Sequence, residues 1–449
     1  MTTTEKNPMP EMDCSMRQVT KQGTGRRATG VAMALVVLAG CDVVNPGPVQ
    51  DEFLNQPEAH QSLVNGAGRR LSLAISSIGY SVALASREIL PAGQTGSGGN
   101  SPVGQAGVLL SGEVGSEWNN AQQARWIAED AIKRFTTIVP AGKTDPLVLT
   151  QAYLFLGYAN RTMGENFCDA VFDGGAKEPH TKYLERAQAA FTSAIASAPN
   201  TTAGTNLKNA ALAGRAATRV ALKDWTGAVA DANLVPANFV YRIPLSLEDI
   251  KANGDDLYWA NANSPYRSYS LWGTWFEKYY DETGDARAAY TVNPAIPLAQ
   301  QQLSGFGAVP WKTTQKFNVT TDHKLASYNE MLLIKAEAAL LGNDIGSALA
   351  LINQVHTAVK NLKTGANLAA LPVPGTLVEA WTLLKRERAL DMYLDGRRLG
   401  DMRRWKANAT PGTLDWPNFE AISVLFRTNV PSECIPISDG ELNTNPNLG

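Results

Sequence analysis

From Phe53 to Leu90 the apolar residues Leu63, Leu71, Leu73, Ile75, Ile78, Val82, Leu84 and Leu90 recur at intervals that predict one or two helices. The pattern breaks over residues 91–117, "PAGQTGSGGNSPVGQAGVLLSGEVGSE", where Gly, Ser and Pro predict a long loop of the kind that usually carries function or is disordered. It resumes from Trp118 to Val139, with Trp126, Ile127, Ala131, Ile132 and Phe135 expected on one face of a helix.

The next stretch repeats itself. In "ERAQAAFTSAIASAPN" the order Ala187, Phe191, Ala194, Pro199 matches the second helix of a tetratricopeptide repeat, and Tyr153, Leu156 and Gly157 fit its first helix. An insertion around residues 164–182 separates the two. A second unit spans residues 209–236, with Ala216, the turn Asp224-Trp225, and Ala228 and Ala232 at close-packing positions. A third runs from Leu332 to Val355, with Ala336, the turn Gly342-Asn343-Asp344, and Ala348. Small residues at these places let antiparallel helices approach closely, and stacked pairs bury a shared core. The expected fold is therefore mainly α, a tetratricopeptide-like helical scaffold.

Between Pro236 and His323 the helical pattern dissolves into prolines, glycines and aromatics, which reads as a long insertion between the second and third repeats. From Leu377 to Trp405 a periodic, charged helix or helix pair returns, and the tail is irregular, with a strand-like "FRTNV". In the charged segment, opposite charges three and four apart, such as Glu387 and Asp391 beside Arg388 and Arg398, are expected to satisfy one another and fix helix packing rather than perform catalysis.

The N-terminal part has a different logic. "RRATGVAMALVVLAGCDVVNPGPV" joins two arginines to an apolar run too short for a bilayer, then small residues and Cys41. Leu38-Ala39-Gly40-Cys41 resembles a bacterial lipobox, which predicts cleavage before Cys41 and acylation of its thiol. Residues 1–40 then form a lipoprotein signal peptide, for which Met12 or Met16 could also be the start, and residues 41–52 a tether. The remaining organisation is 53–235 for the first helices and repeats, 236–323 for the insertion, and 324–449 for the last repeat, charged helices and tail.

Charge narrows the partners. Residues 1–40 hold five of the 40 basic and three of the 42 acidic side chains, so the rest carries a net charge of about −4. Without a Lys/Arg cluster, that balance speaks against nucleic acid. Cys168 and Cys434 remain after export, either paired as a disulfide or buried as small hydrophobes. His60, His180, His323 and His356 form no zinc-ligand spacing, so no metal and no cofactor is expected.

The most unusual composition is "LYWANANSPYRSYSLWGTWFEKYY", nine aromatics from Tyr258 to Tyr280. Tyr and Trp pair an apolar face with a polar edge, which suits the C–H faces of sugar rings. Trp272, Trp275, Phe276, Tyr279 and Tyr280 sit at helical spacing and are expected to pack inward. Tyr258, Trp259, Tyr266 and Tyr269 lie among turn-forming residues and, with Asn261, Asn263, Arg267 and Ser270 as polar partners, are the candidate ligand contacts. Asp255-Asp256 and Asp281-Glu282-Asp285 could serve a glycosidase, but exposed acidic turns explain them with fewer assumptions.

Three segments together resemble the SusD/RagB family of outer-membrane nutrient-uptake lipoproteins. They are "YNEMLLIKAEAALLGNDIGSALALINQVH", in which His356 stands where the family usually has Arg; "LLKRERALDMYLDGRRLGDMRRW", with Asp395 for Glu and Met402 for Leu; and the tail "IPISDGELNTNPNLG". The resemblance implies a non-enzymatic protein anchored by Cys41 in the outer membrane and facing outward. It would bind a nutrient, most simply an oligosaccharide, on a face made by the insertion and the 91–117 loop, and pass it to a SusC-type TonB-dependent transporter. The alternatives are a repeat adaptor holding envelope proteins together and a secreted glycoside hydrolase.

Overall fold

The computed structural model describes residues 51–92, 101–251, 255–261, 267–299, 306–318, 320–415 and 423–448. A long helix α1, Pro57–Ala85, opens with Pro57 at its first turn, where a missing N–H costs nothing. It packs against α2, Gly115–Lys133, and α3, Pro146–Asn166. The expected stripe on α2 is corrected at one place: Trp126 points outward and is 56% exposed, while Ala131 and Phe135 are buried.

The three repeat pairs are present. α3 pairs with α4, Thr181–Ser197; α5, Thr202–Ala221, with α6, Trp225–Ala232; and α7, Tyr328–Leu341, with α8, Ile345–His356. The two tight turns share one solution. Lys223 and Asn343 take positive φ, and the aspartate that follows caps the next helix, Asp224 accepting from the N–H of Gly227 and Asp344 from that of Ser347, both at 2.9 Å.

Small residues set the spacing between the pairs. The Phe191 ring of α4 lies between Gly157 of α3 and Gly214 of α5, and a Cβ on either glycine would fall 2.5 Å from that ring. Tyr158 meets Phe191 edge-on at 5.0 Å and donates its hydroxyl to the carbonyl of Ala210, 2.8 Å away, so this crossing is satisfied as well as filled.

After α6 the chain leaves the scaffold along Val240–Ile243 and returns along His323–Ser327, the two strands pairing antiparallel with Val240 opposite Ser327 and Ile243 opposite His323. Two charged helices follow, α9, Leu377–Asp391, with a Thr376–Glu379 capping box, and α10, Arg398–Ala407. Many of their charges pair with opposite charges, but mostly on distant elements rather than three or four residues away. Arg388 holds Asp401; Arg404 holds Glu337 of α7; Arg397 bridges Glu165 of α3 and Glu330 of α7; Glu387 takes Arg287 and His356. Burial alone would raise the Asp401 carboxyl, but Arg388 and Arg404 outweigh it and hold it below its ordinary value. His356, standing in an arginine's place, reaches Glu387 at 3.0 Å.

Cys168 and Cys434 are joined, with Cα atoms 5.0 Å apart across 266 positions of sequence. The tail is thereby clamped to the end of α3, where the N–H of Ile435 also donates to the carbonyl of Asn166 at 2.7 Å. The strand expected at "FRTNV" is instead the end of a short helix, Val424–Thr428, which buries Phe426.

Two outcomes test this packing. Alanine is the better helix former by roughly 1 kcal/mol, yet Gly157→Ala and Gly214→Ala are expected to destabilise by about 1–3 kcal/mol in urea titrations, because the Phe191 ring occupies the methyl's place. Replacing both Cys168 and Cys434 by Ser is expected to remove about 2–5 kcal/mol, read as a lower melting temperature that reductant reproduces in the wild type.

Candidate functional site

The end of α1 turns sharply. Ser86 closes the helix, and Arg87 takes φ 60°. Glu88 is fully buried, accepting from the Ser86 hydroxyl at 3.1 Å and from the N–H of Leu394 at 2.9 Å. Burial raises the Glu88 carboxyl, and Arg398 opposes that rise. This anchor aims Leu90–Pro91 along Tyr269–Ser270, where the two strands pair antiparallel. The start of the Gly/Ser-rich loop and the aromatic insertion, far apart in sequence, are thus hydrogen-bonded side by side.

Ser270 extends the floor. Its Oγ accepts from the N–H groups of Lys312 at 2.9 Å and Trp272 at 3.0 Å and donates to the carbonyl of Pro310 at 2.9 Å. Next to it the N–H of Ala299 donates to Val309 and that of Trp311 to Pro297, each at 2.9 Å. On this floor Trp272 and Phe306 meet edge-to-face at 5.4 Å, both half-buried, and Phe306 meets Phe426 at 6.1 Å. Leu90 and Ala106 complete the patch, with Leu298 exposed nearby and its carbonyl accepting from Arg267 at 3.0 Å.

The candidates read from the sequence fall into three groups. Arg267 and Tyr258 are half-buried. Tyr269 is corrected: it is fully buried, and its hydroxyl pairs with that of Tyr80 at 2.6 Å, so it supports the floor from beneath. Trp259 and Asn261 belong to a short helix, Asp256–Asn261, seated on α1 through Leu257 and Gly79, whereas Asn263, Tyr266 and Cys41 lie outside the described residues.

Of the expected inward seam, Phe276 is buried and Trp275, Tyr279 and Tyr280 pack against its cluster. Trp272 departs from the seam: it precedes the Trp275–Thr283 helix and joins the floor instead. Trp272 and Phe306 are the aromatics that sequence reading missed. The Gly273 and Thr274 after Trp272, which start the helix later, were the available signal.

The acids proposed for a hydrolase are held elsewhere. Asp285 is buried against Arg287, Asp281 accepts from the Tyr290 hydroxyl, and Asp255 accepts from the Ser76 hydroxyl and the N–H of Tyr258. Beneath the insertion, burial pushes Glu117 up to about 7, against the hydrogen bond from Ser81, and Asp256 up to about 6. Among the described residues no group of three or more His, Cys, Asp or Glu could hold a metal ion.

With this geometry in view the comparisons are decisive for the architecture. Residues 276–449 match the model of the SusD family. The fold is SusD-like. A SusD superfamily protein from Bacteroides thetaiotaomicron superposes with a TM-score of 0.63 at 14% identity, covering 88% of this chain and 99% of that one. Surface glycan-binding protein A from Bacteroides uniformis gives 0.59 at 14% identity, with 87% and 98% covered. A SusD/RagB family protein from Bacteroides thetaiotaomicron gives 0.58 at 13%, with 85% and 95% covered. No curated protein matches the sequence. In this SusD-like chain the described helices include none long and apolar enough to cross a membrane.

The raised Glu117 carries a pH signature. Its folded value lies above that of the unfolded chain, so the carboxyl costs nothing at low pH and destabilises progressively as pH rises through about 7. Glu117→Gln keeps an acceptor for Ser81 and is expected to raise the melting temperature at pH 8 while changing it little at pH 5. An equal effect at both pH values contradicts the assignment.

Proposed function

We propose that this chain is a non-catalytic surface lipoprotein that captures an oligosaccharide on the Trp272–Phe306 floor and passes it to a SusC-type TonB-dependent outer-membrane transporter. The observation that carries the reading is the pairing of Leu90–Pro91 with Tyr269–Ser270, which joins the loop and the insertion under half-buried aromatics. Flat apolar rings edged by a guanidinium suit sugar rings, whose C–H faces stack while their hydroxyls reach polar groups. The SusD-like fold shared with a surface glycan-binding protein supports the same reading. Cys41 supplies the anchor on this view, the acyl chains contributing roughly 0.8 kcal/mol per buried CH₂.

Mechanism is capture without bond-making. The floor is held by backbone hydrogen bonds and by the buried Tyr80–Tyr269 pair, so little has to order when ligand arrives. Arg267, Tyr258, Trp259, Asn261, Asn263 and Tyr266 are proposed to edge the bound glycan, and the helical repeats to dock on the barrel.

Calorimetry of the chain from Cys41 onward against a glycan panel is the test. One oligosaccharide class is expected to bind, and Trp272→Ala to weaken it about tenfold or more, the scale of a lost stacking contact at a hot spot, with the melting temperature nearly unchanged. Binding of peptides alone would reject the sugar and keep the transport role. Turnover of a polysaccharide, lost on neutralising acids, would reject the non-catalytic reading.

A further inference from the structure

Phe426, which borders the aromatic floor, also lines a separate concavity of about 560 Å³, within the usual size of small-molecule sites. Its walls come from α10, from Lys385 of α9 and from residues 409–414 and 426–433, and Met402 and Val430 give it apolar surface over the buried Trp405 and Phe426. Four cations face the same space, Lys385, Arg403, Lys406 and Arg427, against the single carboxylate of Glu433.

Lys406 and Glu433 pair with each other at the surface. Among the described residues the other three cations have no carboxylate partner. Lys385 donates only to the carbonyls of Thr410 and Gly412, each at 3.2 Å, and its ammonium lies 5.4 Å from the centre of the Trp405 ring. Arg403 donates to the carbonyls of Phe167, Gly164 and Glu165, with the His180 ring nitrogen 3.1 Å away. Arg427 stands exposed at the rim. Burial lowers both the Lys385 ammonium and the Arg403 guanidinium from their ordinary values, outweighing Glu337 at Lys385 and Glu165 and Glu433 at Arg403.

Arg388, Arg397 and Arg404 are matched by carboxylates, whereas buried Arg398, like Arg403, donates to backbone carbonyls. Around this pocket three cations lack a carboxylate in direct contact among the described residues, and part of the wall is apolar. A neutral ligand would leave the surplus cations unanswered, and a small hydrophilic anion would leave the apolar wall at Met402 and Val430 uncovered. We propose that this pocket binds a small amphipathic carboxylate, an organic acid with an aromatic body, its ring against Met402 and Val430 and its carboxylate toward Arg427 and Lys385. The site is separate from the glycan floor and does not rest on the proposed capture role.

Isothermal titration calorimetry of the chain from Cys41 onward with 3-phenylpropionate tests it, with 3-phenylpropanamide as the uncharged twin and inorganic phosphate as the ringless anion. The acid is expected to bind, the amide about tenfold or more weakly, as a lost charge-assisted hydrogen bond implies, and phosphate not to register. Met402→Trp fills the space and is expected to abolish binding. Arg427→Glu, at an exposed position, is expected to weaken it about tenfold, as loss and reversal of one charge-assisted contact implies, with an unchanged melting temperature, so a misfolded Met402→Trp leaves the test intact. Equal affinity for acid and amide, wild-type affinity in Arg427→Glu, or no binding of the acid overturns the proposal. Oligosaccharide binding measured on Arg427→Glu is expected to stay at wild-type strength, which separates failure here from failure of the capture reading.

Discussion

Everything on the C-terminal side of the molecule depends on a lattice of buried ion pairs rooted in α9 and α10. Arg388, Arg397 and Arg404 are each nearly or fully enclosed, and an enclosed guanidinium without its carboxylate would cost about 3–5 kcal/mol. Their partners come from α3, α7 and α10, while Glu387 and Asp391 reach into the insertion and the strand that ends it, through Arg287 and Lys324. Helix α9 therefore cannot shift without breaking contacts to three parts of the chain at once. Such a lattice gives little net stability over an apolar core, but it admits one arrangement.

That arrangement matters because the aromatic floor has, among the described residues, only two small apolar clusters of its own. Its described part consists of short segments, 90–92, 268–272, 297–299 and 309–312, tied to one another by backbone hydrogen bonds. What holds them is indirect: Glu88 grips Leu394 beyond α9, Tyr269 grips Tyr80 on α1, and Phe276 stacks on Tyr393 at 4.2 Å. The paired strands Val240–Ile243 and His323–Ser327 close the base of the insertion, so a long excursion leaves and rejoins the repeats at one point. Rigidity generated in the lattice is passed to the floor through these few grips.

The repeats were legible in the sequence because their signal is local and redundant. Small residues at fixed spacing, an aspartate after each tight turn and a proline after α4 each report on the same helix pair, and Phe191 with Gly157 shows why the spacing exists. Charge partners were not legible in the same way. Glu387 and Arg388 are adjacent in sequence, yet one pairs with Arg287 and the other with Asp401, because helix packing, not spacing along one helix, decides who meets whom. The floor was half legible. Composition marked the right segments, but within them helical spacing argued Trp272 inward and turn-rich context argued Tyr269 outward. A two-residue strand reversed both: pairing with Leu90–Pro91 buries Tyr269, and the turn at Leu271–Thr274 lifts Trp272 out of the helix that follows.

The same contrast bears on the choice between the proposed capture and an adaptor role. An adaptor built on helical repeats works through the concave or convex surface of the stack, and its inserted segments need only avoid interfering. In the described part of the insertion the Ser270 hydroxyl hydrogen-bonds to Lys312, Trp272 and Pro310, and Lys312 in turn pairs with Glu277 and Tyr290. Polar groups ordered to that degree beneath half-buried aromatic rings carry an entropic cost that a mere spacer does not require. Order of that kind is what a receptor for a rigid, ring-shaped ligand needs, since each rotamer already fixed is one that binding does not have to fix.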